Sequence, residues 1–394
     1  MTPSARLQAA IELLNEIIVA ARDGGAAADT LIARYFKTRR YAGSKDRRAV
    51  RDWVYAAIRL CGERPASGRA AMLALVQEQP EYAALFDGSV HGPAAIDPDE
   101  PVAQPGNIPA WLLLHLAQPL ADPAEQAALL ERAPLDIRVN ALKCDMEQAR
   151  VLFPDAEPVS PISNALRLPE GTAVESTDAY RDGLIEIQDA GSQLIVRACE
   201  VKPGMTMIDL CAGAGGKTLG LAADMAGQGR LLAADINRDR LSRLPDRAGR
   251  AGAAFVETLL MNAGREEQAL SAYGGSADVV LVDAPCSGTG TWRRNPEARW
   301  RLTEERLARL RTQQARILDM AAALVKPGGR LVYAVCALTD GEGTGQTEAF
   351  LKRHTGWKTA ILELPKGRKY GEGCLLTPAH DGTDGFFIAT LVKL

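Results

Sequence analysis

A chain of 394 residues, 47% hydrophobic and 24% charged, is long enough for two or three domains and has the composition of an ordinary soluble globular protein. Its formal net charge of −3 excludes a globally basic nucleic-acid binder, and no apolar run reaches the roughly 20 residues of a membrane span. The seven cysteines (Cys61, Cys144, Cys199, Cys211, Cys286, Cys336 and Cys374) are dispersed without a C-x-x-C, which argues against a disulfide framework and a structural zinc site.

We therefore expect a reduced, cytoplasmic protein with no membrane segment and no metal. Whole-chain charge hides local asymmetry. Residues 1–70 carry 13 Lys/Arg against 7 Asp/Glu, residues 71–140 carry 2 against 10, and residues 293–316 carry 8 Arg against 3 Glu. Two basic segments thus sit in a mildly acidic chain, the footprint either of an anionic partner or of solvated helix faces.

The chain opens on "MTPSARLQAAIELLNEIIVAARDGG", an amphipathic helix with acids in it rather than a signal peptide. Leu7, Ala10, Ile11, Leu14, Ile17, Ile18 and Ala21 recur at helical spacing, and Gly24-Gly25 stop the helix. "SKDRRAVRDWVYAAIRLCG" offers Ser44 as an N-cap, an apolar face through Val50, Trp53, Val54, Ala57 and Ile58, and Gly62 as a stop. "IPAWLLLHLAQPL" reads as another short helix, and the Pro-, Gly- and acid-rich stretch before it as a surface loop. Residues 1–133 are expected to form an all-α domain. Residues 134–182, with "LDIRVNAL" and "NALRLPEG" as strands and "DMEQARVLF" as a helix, are expected to form a small α+β connecting domain.

From residue 183 to 394 strand and helix alternate. The strands are "GMTMIDL", "GRLLAAD", "AAFVETLL", "ADVVLVD", "GGRLVYAV" and "GFFIATLVKL". This pattern implies a doubly wound, Rossmann-like α/β domain with a parallel sheet, and an antiparallel last strand.

"MIDLCAGAGGKTLGL" places glycines between a strand and a helix. Glycines permit a sharp turn and let a ligand approach the backbone amides. A P-loop would need glycine where Cys211 stands, and a dinucleotide fingerprint would need glycine where Thr218 stands. A turn for a nucleoside without phosphates, as in S-adenosylmethionine (SAM) enzymes, fits better, with a nucleotide turn as the alternative. Asp235 ends the next strand 20 residues after Gly215, where a carboxylate can accept hydrogen bonds from a ribose.

Two cysteines also end strands: Cys286 in "VVLVDAPCSGTG" and Cys336 in "GRLVYAVCAL". Free cysteine is often just a small buried hydrophobe. These two, however, stand with Asp283 at the edge where open α/β sheets bind ligands. Carbon 5 of a pyrimidine is too weakly nucleophilic to take a methyl group. A thiolate added to carbon 6 makes it enamine-like, and a carboxyl group near ring nitrogen 3 stabilises the adduct. An amine methylase would instead need an aromatic residue where Cys286 stands.

"RYFKTRRYAGSKDRRAVRDWVYAAIR", "LDIRVNALK", "GLIEIQDAGSQLIVRAC", "DLCAGAGGKTL", "DAPCSGTGTWRRNPEARW" and "LVYAVCAL" together resemble the RNA 5-methylcytosine methyltransferase family, Sun/Fmu branch, over nearly the whole chain. The resemblance implies a NusB-like RNA-binding domain ahead of a class I SAM-dependent domain. It implies methylation of cytosine carbon 5 in small-subunit ribosomal RNA. It also implies a SAM site lined by Cys211, Ala212, Gly213, Ala214, Gly215, Gly216, Lys217, Asp235, Asn262 and Asp283. Cys336 would be the nucleophile, Cys286 would assist breakdown of the adduct, and Asp283 would border both SAM and base. Spacing alone does not rank the two cysteines.

The chain departs from the family pattern at three places. Asn262 stands where an acid usually ends the third strand, Ala337 where a serine usually follows the nucleophile, and "TDGEGTGQ", with Glu342 as its acid, where an acidic-asparagine stretch is usual. The same chemistry on transfer RNA, or an RNA-binding assembly factor without turnover, stay as alternatives. Arg293, Arg294, Arg299 and Arg301, interleaved with Trp292 and Trp300, suit phosphate binding and base stacking; core tryptophans and a solvated arginine face are the competing expectation.

Overall fold

The computed structural model describes residues 1–394. They group into two compact units, one made of Met1–Arg132 with Thr291–Glu304, the other of Ala133–Gly290 with Glu305–Leu394.

The first unit is helical. Helix α1 (Pro3–Asp23) begins under the Thr2 side chain, which accepts from the Ala5 amide, and ends at Gly24 in the left-handed region at φ 75°. Its apolar stripe buries Leu7, Leu14 and Ile17 completely. Helices α2 (Ala28–Thr38), α3 (Ser44–Leu60) and α4 (Gly68–Glu78) complete the bundle. Ser44 is the first residue of α3 rather than its cap. Gly43 takes the cap position, and Asp46 reaches back to accept its amide at 3.1 Å. "IPAWLLLHLAQPL" forms two 3₁₀ turns, Ala110–His115 and Gln118–Ala121, instead of an α-helix. Pro109 precedes the first turn and Pro119 stands at the start of the second.

The expected arginine face is not a solvated one. Within this unit, residues 291–304 cap helix ends. Glu297 Oε1 accepts the Ala28 amide at 3.0 Å, where α2 has no cap of its own. The Arg299 guanidinium donates to the carbonyls of Ile58, Arg59 and Cys61 at the end of α3. Arg301 donates to Ala20, Gly25 and Ala26 just past α1. Trp292 is fully buried, and Trp300 lies in the helical core with its Nε1 donating to Cys61 O at 2.9 Å. Arg293 and Arg299 are buried, and of the four arginines Arg294 is exposed. The tryptophans are therefore core, and Arg299 and Arg301 neutralise helix carbonyls rather than presenting a phosphate-binding face.

The second unit holds two sheets. In the smaller, β1 (Leu135–Val139) lies between β3 (Ala165–Leu168) and β4 (Ile185–Ile187), with β2 (Glu157–Pro158) outside β3. The larger sheet contains β5 (Thr206–Asp209), β6 (Arg230–Asp235), β7 (Val256–Leu260), β8 (Ala277–Asp283), β9 (Val325–Val335), β10 (Trp357–Thr359), β11 (Arg368–Tyr370), β12 (Gly373–Leu376) and β13 (Phe386–Lys393). Its order is β11-β12-β13-β9-β8-β5-β6-β7, with β10 pairing β13. Strands β5 to β9 run parallel, and β13 returns antiparallel to β9, as expected.

The chain runs outward from β5 through β7 and then returns to β8 on the other side of β5. That reversal opens a crevice at the carboxyl ends of β5 and β8. Val279, Val280, Leu281 and Val282 are buried on both faces, the apolar run that a covered parallel strand requires. No helix is long and apolar enough to cross a membrane.

Candidate active site

Three strand ends meet at the crevice. Strand β5 runs into the turn Cys211-Ala212-Gly213-Ala214-Gly215-Gly216-Lys217, and helix α5 (Gly216–Asp224) leaves it. Gly215 caps this helix at φ 84°, and a Cβ there would lie 2.1 Å from Leu244 Cδ1. Only glycine fits both limits. Asp235, at the end of β6, ties the turn down: its Oδ2 accepts the Gly213 amide and its Oδ1 the Asn237 amide, each at 2.7 Å.

Asp209, Asp235 and Asp283 all end strands around this turn. Burial raises the Asp209 carboxyl to about 7, opposed by the hydrogen bond from Thr218 Oγ1 at 2.7 Å. Burial also holds the Cys211 thiol well above the ordinary range, with Asp209, Asp283 and Asp235 adding to it. An edge so rich in carboxylates repels phosphates and suits a positively charged nucleoside. That chemistry fits the sulfonium of SAM better than a nucleotide. Asn262 is exposed, two residues past β7, and its carbonyl accepts the Arg265 amide at 2.9 Å.

Replacing Gly215 by alanine is expected to cost about 1–2 kcal/mol from the left-handed backbone alone, and more from the clash with Leu244. Thermal unfolding with and without SAM should show a lower midpoint and a smaller ligand-induced rise. An unchanged pair of midpoints would contradict this account of the turn.

The two thiols meet. Strands β8 and β9 are parallel, with Asp283 opposite Ala334. Cys286 and Cys336 follow these residues by three and two positions, so both loops emerge above adjacent strand ends. Their Sγ atoms are 3.3 Å apart, close but not bonded, and each side chain is half-buried. Beside them Lys217 Nζ donates to Asp283 Oδ2 at 2.6 Å. Burial lowers the Lys217 ammonium, but Asp283, Cys336 and Asp209 outweigh it and hold the group charged. Lys217 thus places a positive charge on the Cys336 side of the pair.

Cys286 has the opposite surroundings. Contact with Cys336, then burial, then the Glu342 carboxylate push its thiol well above the ordinary range. The site therefore distinguishes two cysteines that look alike in sequence.

Several supporting residues escaped the sequence reading. Thr289 Oγ1 accepts the Leu338 amide at 2.7 Å, and the Gly290 amide donates to Cys336 O at 3.0 Å, stitching the two thiol loops together. Gln314, on helix α6 (Glu304–Leu324), donates to Pro285 O and Glu342 Oε1, both at 2.9 Å. Its signal was present: Gln314 shares the helical phase of Leu307, Ile317, Leu318 and Ala321, so a polar side chain occupies an apolar stripe.

A family model described as 16S rRNA methyltransferase RsmB/F matches residues 196–392. The probable ribosomal RNA small subunit methyltransferase B of Synechocystis sp. is 33% identical over 300 residues, covering 73% of this chain and 67% of that protein. The ribosomal RNA small subunit methyltransferase B of Vibrio vulnificus is 31% identical over 293 residues, 72% of this chain and 66% of that protein. The match therefore spans about two thirds of the length of these relatives. Among solved structures, a methyltransferase homolog protein from Pyrococcus horikoshii is 26% identical, covers 69% of this chain and 90% of its own, and superposes with a TM-score of 0.60. The glycine turn, the acidic strand ends and the paired thiols all lie inside the matched residues, and the chain belongs to the RsmB/F family of SAM-dependent RNA methyltransferases.

Proposed function

We propose that this protein methylates carbon 5 of a cytosine in small-subunit ribosomal RNA, with Cys336 as nucleophile. The observation that carries this reading is the 3.3 Å approach of two free thiols beside a lysine–aspartate pair. A pyrimidine carbon-5 transfer needs one sulfur to form a bond to the base and another group to help break it; an amine methylation needs neither.

SAM supplies the methyl group as an electrophile. The turn from Cys211 to Lys217, with Asp235, Asn262 and Asp283, would hold it. The sulfur of Cys336 adds to carbon 6 of the base, with the Lys217 ammonium beside it. Lys217 also fixes Asp283 Oδ2, leaving the second carboxylate oxygen for the nitrogen edge of the ring. That contact orients the base and stabilises the adduct. After methylation carbon 5 gives up its proton to solvent and the carbon–sulfur bond breaks. Cys286 stands in contact with the departing sulfur and can protonate it. The target base must leave any stack to reach these groups.

The test is to incubate the purified protein with methyl-labelled SAM and unmodified small-subunit ribosomal RNA, transfer RNA in parallel, and to identify the labelled nucleoside. Label in 5-methylcytosine of ribosomal RNA is expected. Label in transfer RNA alone would move the same chemistry to another substrate. SAM binding with no label in either RNA would favour an assembly factor.

A further inference from the structure

Glu342 is completely buried, and the reaction outlined above gives it no part. It lies six residues beyond Cys336, yet its contacts reach the loop of Cys286. Oε1 accepts the Ser287 amide at 2.8 Å and Gln314 Nε2 at 2.9 Å. Oε2 accepts Thr339 Oγ1 at 2.8 Å. Its carbonyl accepts Tyr333 Oη at 2.7 Å, from within β9. Three donors from three segments therefore converge on one carboxylate, and Gln314 links it onward to Pro285 O.

A buried carboxylate is retained at considerable desolvation cost unless its hydrogen bonds compensate. Glutamine could not reproduce this site without turning an amide N–H toward one of the donors.

We propose that Glu342 is a positioning residue that holds the loops of Cys286 and Cys336 in contact, with its carboxyl group set beside Cys286. The proposal deepens the methyltransferase reading and rests on it for its catalytic meaning. The titratable groups around Cys286 are Tyr333 from β9, and Cys336 and Glu342 from the loop that follows it; α6 contributes the uncharged Gln314. None of these is a cation. Lys217 lies on the Cys336 side. The arrangement gives the two sulfurs different surroundings: Cys336 beside Lys217, and a proton-bearing Cys286 able to return a proton when the sulfur of Cys336 leaves. The proton balance closes when Cys336 hands that proton back to Cys286 before the next turnover, and the proton lost from carbon 5 passes to solvent.

The experiment is alkylation of the intact protein with iodoacetamide between pH 6 and pH 10, with the modified cysteine located by mass spectrometry. The thiolate is the reactive form, so rate against pH reports each thiol separately. In the wild type Cys336 should react about tenfold faster than Cys286 at pH 7. Glu342→Gln should move the Cys286 profile down by about one pH unit, the scale of one nearby charge in a partly polarisable site, and Glu342→Asp should restore most of it. A Cys286 profile unmoved in Glu342→Gln would overturn the proposal. So would faster reaction of Cys286 than Cys336 in the wild type, a measurement that needs no variant to fold. Methylation assays of the same variants should show kcat lowered with KM for SAM unchanged. Because alkylation needs no RNA, an inactive wild type with the expected alkylation order would sink the methyltransferase reading and leave the role of Glu342 standing.

Discussion

Cys336→Ala is expected to abolish methyl transfer, by at least about 10⁴-fold in kcat, the scale on which loss of a covalent nucleophile is felt. Alanine removes the sulfur proposed to bond carbon 6 and leaves Lys217 and Asp283 paired as before. SAM affinity should therefore change little, which separates a chemical defect from a binding defect. Cys286→Ala should behave differently. The carbon–sulfur bond still forms at Cys336, but the group in contact with the leaving sulfur is gone. Protein and RNA should then migrate together on a denaturing gel, in a band that protease removes. If Cys336→Ala turns over while Cys286→Ala is dead without an adduct, the two roles are reversed.

Arg299→Met should destabilise the helical unit by about 3 kcal/mol, among the larger effects of a single substitution. The last carbonyls of a helix have no partner within it, and in α3 the guanidinium of Arg299 takes those of Ile58 and Arg59 together with the Cys61 carbonyl beyond them. Methionine fills the space but leaves these buried acceptors unsatisfied, and it removes a positive charge from the negative end of the helix. Burial pushes the Arg299 guanidinium down to about 10, still charged at neutral pH. Arg299→Lys should recover part of the loss, because one ammonium cannot copy the planar fork. Urea unfolding followed by tryptophan fluorescence would report the change through Trp300, which bonds the same Cys61 carbonyl. A variant of normal stability whose RNA binding is weaker and less salt-dependent would instead make Arg299 a phosphate contact.

Much of the candidate active site was legible in the sequence because parallel strands announce themselves. A run such as "VVLV" must be buried on both faces, and the residues after it must therefore stand at the ligand-binding edge. Asp209, Asp235, Asp283, Cys286 and Cys336 could be placed there by counting. Glycines 213 and 215 were legible for a related reason: a strand that turns at once into a helix requires left-handed backbone. The 3₁₀ turns at 110–121 and the displaced cap of α3 were misread because local propensity there is weak, and neighbouring packing decided between nearly equal alternatives.

By itself, then, the sequence determined the alternation of strand and helix, the edge on which chemistry collects and the residue types found there. These follow from periodicity and backbone sterics, which act over a few residues. Only the tertiary structure decided which charges are free to act. Arg299 and Arg301 look like RNA contacts beside the catalytic turn, yet they cap helices more than 230 positions away in the chain. Glu342 looks like a solvent-facing loop acid, yet it is completely buried between two thiol-bearing loops. The 3.3 Å between Cys286 and Cys336 depends on the pairing of β8 with β9. A charged side chain is read by the groups that surround it in space, and sequence separation carries almost no information about those groups.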